Sequence, residues 1–181
     1  MSAQQFSEAS IAEMVAGVKK YLRTEREVYL RHSEPLTPDV RQTIEGFFSA
    51  DLLARLRTIT LTGARVPPPP FYLKAKEMSG GKFPDFVHMD AITYIDVIVF
   101  HDQILPRALF HGAVHSAQIA VLGFDKYVDL YVRGFVKHLS WLAIPLEAQA
   151  YQLDGRYSEN PTDIFSVESE IQAASDEGGY L

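Results

Sequence analysis

Two histidines four residues apart are the first candidates for chemistry in this chain. His111 and His115 lie in the stretch LFHGAVHSAQ. Residues at this spacing project from one face of a helix, about 5–6 Å apart. Both imidazoles can therefore reach one metal ion without bending the backbone. The spacing is that of the zinc-binding motif H-E-x-x-H, except that Gly112 replaces the glutamate.

A zinc site also needs a third protein ligand and an open position. The chain contains no cysteine, so that ligand has to be His, Asp or Glu. Glu147 is the candidate, because it lies near the start of a predicted helix, 32 residues beyond His115 (147 − 115). Tyr151 and Asp154 follow on the same helix. Either of them could hydrogen-bond a ligand histidine and fix its orientation.

The identity of the metal stays open at this point. Two histidines and one carboxylate also form the facial triad of non-haem iron(II) enzymes, which needs no neighbouring glutamate. The ligand types therefore allow Zn²⁺ or Fe(II). Histidines four residues apart also occur by chance on surfaces and in cores, so a protein that binds no metal is a further interpretation.

The sequence around these residues resembles a family of small bacterial zincin-like proteins of the gluzincin type. The family pattern reads roughly L-L-x-H-E-L-V-H-x-x-Q-x-x-x-L-G, then a helix with Y-V, then I-P-L-E-x-x-A-Y. The resemblance covers about residues 85–170. The matching residues are Leu109, His111, Val114, His115, Gln118, Leu122, Gly123, Tyr131, Val132, Ile144, Pro145, Leu146, Glu147, Ala150 and Tyr151.

This resemblance implies a fold and a site. The fold would be α+β, a helix-rich minimal zincin-like domain with a small sheet, formed by residues 1–181 as a single domain. Residues 1–57 would form N-terminal helices and residues 85–170 the core that carries the metal. The implied ligands are His111, His115 and Glu147, with zinc as the metal. The surrounding hydrogen-bond partners would be Gln118, Tyr151 and Asp154.

Gly112 removes the group that zincin peptidases use as a general base. In that family the glutamate deprotonates the attacking water, and general acid–base catalysis contributes about 10²–10⁴-fold. We therefore expect a degenerate, metal-binding pseudoenzyme that is not a working peptidase. A glycine inside a helix costs about 0.5–1 kcal/mol relative to alanine. This cost suggests that Gly112 makes space for a ligand, and helix propensity would tolerate a Gly112→Glu substitution.

Two further histidines could replace the missing base. His88 precedes the apolar stretch 91–100, and His101 follows it. In a zincin layout either could border the cleft, as a base or as a fourth ligand. The first alternative is thus an active metalloenzyme of different chemistry, a zinc hydrolase with another base or a non-haem iron enzyme. The second is a metal-free interaction protein on the same fold.

The elements that must position these residues are mainly helical. Hydrophobic periodicity predicts a first helix over 7–32 and a second over Pro38–Arg57, with Thr37 as its N-cap. A short strand follows in 58–66, and the apolar run 91–100 predicts one continuous strand that is covered on both faces. Three helices close the domain, from Pro106 to Gly123, over about 125–141, and from Pro145 onward.

Composition bounds the remaining choices. At 181 residues with 47% apolar and 22% charged residues, the chain is typical of one soluble globular domain. No apolar run reaches the roughly 20 residues of a membrane span, and no signal segment is visible, so we expect a cytoplasmic protein without a membrane partner.

The net charge of −6 comes from the C-terminal part of the chain. Residues 154–181 carry seven acids and one base (7 − 1 = 6). This predicts a flexible acidic tail over 171–181. A nucleic-acid partner would need a basic surface, so we expect none. The expected partner is a small molecule or a peptide, of unknown identity.

Overall fold

A small sheet packs against helices in the computed structural model, which describes residues 6–180. This confirms the predicted α+β, helix-rich class. The helices are α1 (Glu8–Leu30), α2 (Pro38–Gln42), α3 (Ala50–Arg55), α4 (Tyr72–Met78), α5 (Pro106–Leu122), α6 (Phe124–His138), α7 (Pro145–Glu159) and α8 (Val167–Asp176). The strands are β1 (Glu34–Pro35), β2 (Arg57–Thr60), β3 (Ala91–Tyr94) and β4 (Val97–Phe100). Single 3₁₀ turns lie at Phe86–His88 and Trp141–Ala143.

The sheet has the order β1-β2-β4-β3, with β2 and β4 parallel and the other two pairs antiparallel. The prediction of one continuous strand over 91–100 is wrong, because β3 and β4 form a hairpin. The turn contains Ile95 at φ 63° and Asp96, which accepts hydrogen bonds from Arg26 of α1 at 2.5 and 2.8 Å. No glycine, proline or asparagine marks this turn in the sequence. Only β4, inside the sheet, is buried at all four residues.

The predicted helix over Pro38–Arg57 is broken into α2 and α3. Its start is as expected, with Thr37 capping the helix and Pro38 in the first turn. The break includes Gly46 at φ 90°, a conformation that glycine adopts without strain. The break lets Phe47 enter the core, where its ring lies 5.3 Å from that of Phe110.

Helix α5 lies at the centre of the domain and carries both candidate histidines. It begins with Pro106 in its first turn and ends at Gly123, where φ is 83°, as the sequence predicts. Between Leu109 and Ile119 nearly every residue is buried, since α6, α7, α8 and the β3–β4 hairpin pack around the helix. Side chains on α5 are therefore held in place from several sides.

Helix α1 runs antiparallel to α6. Ion pairs join Lys19 to Asp125 at 2.8 Å and Arg133 to Glu8 at 2.9 Å. Between these ion pairs, Ile11 and Val15 of α1 are buried in the core. Neither α1 nor any other helix within residues 6–180 is both long and apolar enough to cross a membrane.

The acidic C-terminal part is folded onto the domain, so the prediction of a flexible tail is wrong for residues 171–180. Helix α8 continues to Asp176, and the side chain of Ile171 is fully buried against the core. Tyr180 is only 6% exposed. The acids of this segment are exposed, whereas Ile171 on the opposite face of α8 is buried. The charge pattern alone therefore does not indicate that α8 has an apolar face.

Candidate metal centre

The three predicted ligands converge. The Nε2 atoms of His111 and His115 lie 3.1 Å apart. The Oε2 atom of Glu147 lies 3.6 Å from the first and 3.5 Å from the second. Tetrahedral coordination with bonds of about 2.0–2.1 Å places ligand atoms about 3.3 Å from one another. The three atoms therefore already have the separations that a zinc ion requires. Among the described residues, no other group of His, Asp or Glu side chains meets the geometry for a metal site.

Two helices and a tight contact bring Glu147 to the histidines. Helix α7 begins at Pro145, and Glu147 lies in its first turn with 2% of its surface exposed. At this point α6 approaches closely, because a Cβ on Gly134 would lie 3.0 Å from Pro145 Cδ. Tyr131 of α6 donates a short hydrogen bond to Oε1 of Glu147. This bond leaves Oε2 for the histidines.

Asp154 orients His111. Its Oδ2 atom lies 2.8 Å from Nδ1 of the imidazole. Its other oxygen accepts hydrogen bonds from Nε and Nη2 of Arg107 at 3.1 and 2.9 Å. A carboxylate behind a ligand histidine fixes the ring and its tautomer. The Nε2 atom of His111 therefore faces the ligand cluster, which consists of His111, His115 and Glu147. The structure thus places Asp154 where the sequence predicted it, and adds Arg107, which sequence reasoning missed.

Gln118 orients His115 in the way that Asp154 orients His111. Its Oε1 lies 3.0 Å from Nδ1 of His115, and its amide group donates to Leu146 O at 2.9 Å and to Gln149 Oε1 at 3.0 Å. These donations identify which end of the amide faces the histidine. His115 therefore donates through Nδ1 and presents Nε2 to the ligand cluster.

This hydrogen-bond chain continues to the C-terminal end. The hydroxyl of Tyr180 donates to Gln149 Oε1 at 2.6 Å. Tyr180, Gln149, Gln118 and His115 thus form one connected path. Sequence reasoning missed Tyr180 because it assigned the segment to a flexible tail.

Tyr151 does not have the predicted role as a hydrogen-bond partner of a ligand. Its ring packs against that of His111, with centroids 4.6 Å apart at 53°. It is 40% exposed. Tyr151 lies one helical turn beyond Glu147, and this position brings its ring beside the imidazole ring of His111. The Nδ1 atom of His111 is already hydrogen-bonded to Asp154. Tyr151 therefore limits the movement of His111 by packing.

Burial and neighbouring charges set the ionisation of the site. Burial disfavours the charge on His111, but the carboxylates of Asp154 and Glu147 outweigh it and raise its pKa to about 9. Burial favours protonation of Glu147, but the two imidazoles lower its pKa well below the usual range. Burial, with help from Glu147, raises the pKa of Tyr131 far above its usual value. Without a metal, a proton on His111 therefore balances the Glu147 carboxylate.

Gly112 is explained by close packing. A Cβ at this position would lie 2.7 Å from Oγ1 of Thr93 and 3.0 Å from Cγ2 of Ile98. The hairpin fills the place where the side chain of the zincin glutamate would begin. The expectation that Gly112 leaves space for a ligand is therefore wrong. Helix propensity would tolerate a glutamate at this position, but the packing of the hairpin opposes one.

The two histidines proposed as replacement bases lie outside the ligand cluster. His101 is 1% exposed, and its Nε2 accepts a hydrogen bond from the Val66 amide at 3.1 Å. It contributes nothing to the cavity beside the ligands, so its proposed role as a base is wrong. His88 is largely exposed and lies 3.0 Å from Asp85. His88 does line that cavity, but the structure pairs it with Asp85 rather than with a ligand.

A cavity of about 1210 Å³ adjoins the ligands. Its walls come from α1, α4, β3, α5, α6 and α7, and His111, His115, Glu147 and Asp154 form part of its surface. Much of the rest is apolar, including Met14, Val18, Met78, Phe86, Val132 and Phe135. Pockets for small molecules are usually mostly apolar with a few polar groups, which is the arrangement found here.

Comparisons with known protein families, with curated proteins and with solved structures gave no match for this chain. The zincin-like relationship therefore stays a prediction, carried by the residues quoted above. The fold and the convergence of His111, His115 and Glu147 are observed independently of it.

Proposed function

We propose that this protein binds one divalent metal ion, zinc in the first place, through His111, His115 and Glu147. The proposal describes a zincin-like protein that lacks the peptidase base. The observation that carries it is the separation of the three ligand atoms, 3.1, 3.5 and 3.6 Å, in a largely buried cluster. Leaving a carboxylate and two imidazoles together inside a protein without a shared ion or proton is unfavourable.

The donor set fits such an ion. Two imidazole nitrogens and one carboxylate oxygen with an open position are typical of catalytic zinc sites, whereas structural sites use four protein ligands. The same set suits Fe(II). When bound, the ion supplies Lewis acidity to an oxygen of a molecule in the cavity. The chain's own residues orient both imidazoles, through Asp154 and Gln118.

Peptidase activity is not part of the proposal. Position 112 offers no carboxylate, and the hairpin occupies the space where one would begin. A second candidate function, a metal-dependent enzyme with different chemistry, is favoured by the large cavity at the ligands. Its substrate would be a small molecule that the cavity can enclose.

Metal analysis of protein purified without added metal tests the proposal directly. Zinc in a ratio of one per chain supports it, and iron supports the second candidate. If neither ion is bound, zinc titration with thermal unfolding is the further test. A ligand that binds only the folded state at 100 times its Kd stabilises by about 2.7 kcal/mol.

Two double variants make this titration specific. His111→Ala with His115→Ala should abolish the zinc-dependent shift. His32→Ala with His138→Ala removes two exposed histidines and should retain it. An equal shift in both variants would place zinc elsewhere. Absence of a shift in the unmodified protein would leave the metal-free interaction protein as the explanation.

A further inference from the structure

The cavity is long as well as apolar. The residues of α1 that line it run from Ser10 to Leu22. At a rise of 1.5 Å per residue, these twelve steps (22 − 10) correspond to about 18 Å. An extended hydrocarbon chain matches a space of this shape. A peptide would bring an amide group with every residue, and apolar side chains cannot satisfy those groups.

Gly17 is an exposed residue of α1 at the wall of this cavity. It lies inside helix α1, where glycine costs about 0.5–1 kcal/mol relative to alanine. A Cβ at Gly17 would meet no atom within 4 Å, in contrast to Gly112 and Gly134, where neighbouring side chains leave no room. Gly17 also lines the cavity. A side chain there would lie at the cavity wall and would not clash with the protein.

Trp141 adds an unsatisfied donor beside the ligand cluster. Its indole N–H is buried and has no hydrogen-bond partner among the described residues, and Trp141 lines the cavity. Its ring lies 5.4 Å from that of Tyr131, whose hydroxyl binds Glu147. A buried N–H without a hydrogen-bond partner is unfavourable. An oxygen atom of a bound molecule could accept a hydrogen bond from the Trp141 indole.

The charges near the ligands favour an anionic head group. A divalent ion with Glu147 leaves one positive charge, while the charge of Asp154 is already paired with Arg107. The other acids of the wall, Glu13 and Asp90, are exposed. A bound carboxylate would supply oxygens that suit both the ion and a donor such as the Trp141 N–H, which belongs to the same cavity wall. Its apolar body would lie along α1.

We propose that the cavity binds a long-chain apolar monocarboxylate, with the carboxylate at His111, His115 and Glu147 and the hydrocarbon chain along α1. This rests on the proposed metal binding and specifies the molecule that the site takes. The test uses zinc-loaded protein after removal of unbound zinc, titrated with dodecanoate in a calorimeter. Trp141 is the only tryptophan of the chain, so its fluorescence gives a second readout at the site.

We expect dodecanoate to bind and to change the Trp141 emission. Affinity should fall by up to about fourfold for each methylene removed between dodecanoate and hexanoate, since each buried methylene contributes that factor. Metal-free protein should bind dodecanoate about 10-fold or more weakly, the effect expected for losing one charged contact.

Gly17→Leu and Ala16→Leu form the matched pair of variants. Gly17→Leu should weaken dodecanoate binding about 10-fold or more, because the leucine displaces at least two methylenes of the ligand. Its zinc content should not change, and its Tm should not fall. Ala16 is exposed and does not line the cavity, so Ala16→Leu should bind dodecanoate as the unmodified protein does.

The outcomes separate this inference from the metal proposal. Zinc-loaded protein that does not bind dodecanoate overturns the inference and leaves metal binding intact. Equal affinity with and without zinc overturns the assignment of the carboxylate to the ligand cluster. Protein that takes up no zinc overturns the proposed function and this inference together. Binding of an N-acetylated alanine hexapeptide in place of dodecanoate would also overturn the inference.

Discussion

Gly112 and Thr93 lie so close together that a Cβ at position 112 would be 2.7 Å from the Thr93 hydroxyl oxygen. Helix α5 and the hairpin therefore approach to a distance that only glycine permits. We expect Gly112→Ala to destabilise the protein by about 1–3 kcal/mol, the usual cost of overpacking, despite the better helix propensity of alanine. Gly112→Glu should be worse, without a gain in peptide hydrolysis.

Urea unfolding of metal-free protein measures this effect. The control is Gly17→Ala, which should stabilise α1 by about 0.5–1 kcal/mol because nothing opposes the new Cβ. Thr93→Ala should recover part of the stability that Gly112→Ala loses, since it removes the nearest atom. A stabilising Gly112→Ala would contradict the packing explanation.

Asp154→Asn should weaken zinc binding about 10–100-fold, the range found when a partner behind a ligand histidine is lost. The substitution keeps the shape of the side chain but removes the charge that holds Nδ1 of His111 at 2.8 Å. A competition titration with a zinc chelator gives the affinity. Asp163→Asn is the control, because Asp163 is exposed and pairs with Arg156 at 3.2 Å, away from the ligand histidines. Equal affinities in the two variants would show that Asp154 does not support the site.

Tyr180→Phe should lower zinc affinity by a small factor, below the roughly 10–100-fold of direct partners. It removes the hydrogen bond to Gln149 at one end of the chain that leads to His115. The matched control is Tyr157→Phe, which removes a hydroxyl bonded to Thr43 O at 3.0 Å. Both variants should lose similar stability, but only Tyr180→Phe should affect zinc. A change of the same size in both would point to a general loss of stability.

The stability of metal-free protein should fall as the pH rises from about 6.5 to 9. The pKa of His111 is raised in the folded state from its ordinary value of 6.5 to about 9. A raised folded pKa contributes stability that is fully present below the unfolded value and is lost as the pH passes the folded value. Zinc affinity should rise over the same range, because the ion displaces this proton.

Denaturant unfolding between pH 6 and 10 measures how the stability changes with pH, and zinc titration over the same range measures how the zinc affinity changes. In His111→Ala the decrease in stability over this range should disappear. An unchanged decrease in stability in His111→Ala would show that the proton does not reside on His111.

The sequence by itself determined the local geometry of the ligands. His111 and His115 share a helix face because of their spacing alone, and Pro106 and Gly123 bound that helix through their own backbone preferences. Pro145 likewise places Glu147 in the first turn of α7. These features depend on neighbouring residues, so helical periodicity and end signals suffice to predict them.

The tertiary structure decided which distant parts of the chain pack against these helices. From the sequence, Gly112 suggests free space beside the helix. Only the packed hairpin shows that Thr93 occupies this space. The acidic segment reads as a tail until the buried Ile171 and Tyr180 reveal its apolar face. The turn at 95–96 and the break near Gly46 arise from long-range packing that no local signal records fully. The cavity and its unpaired Trp141 exist only between elements far apart in the chain, because free volume depends on how helices pack and not on any one of them.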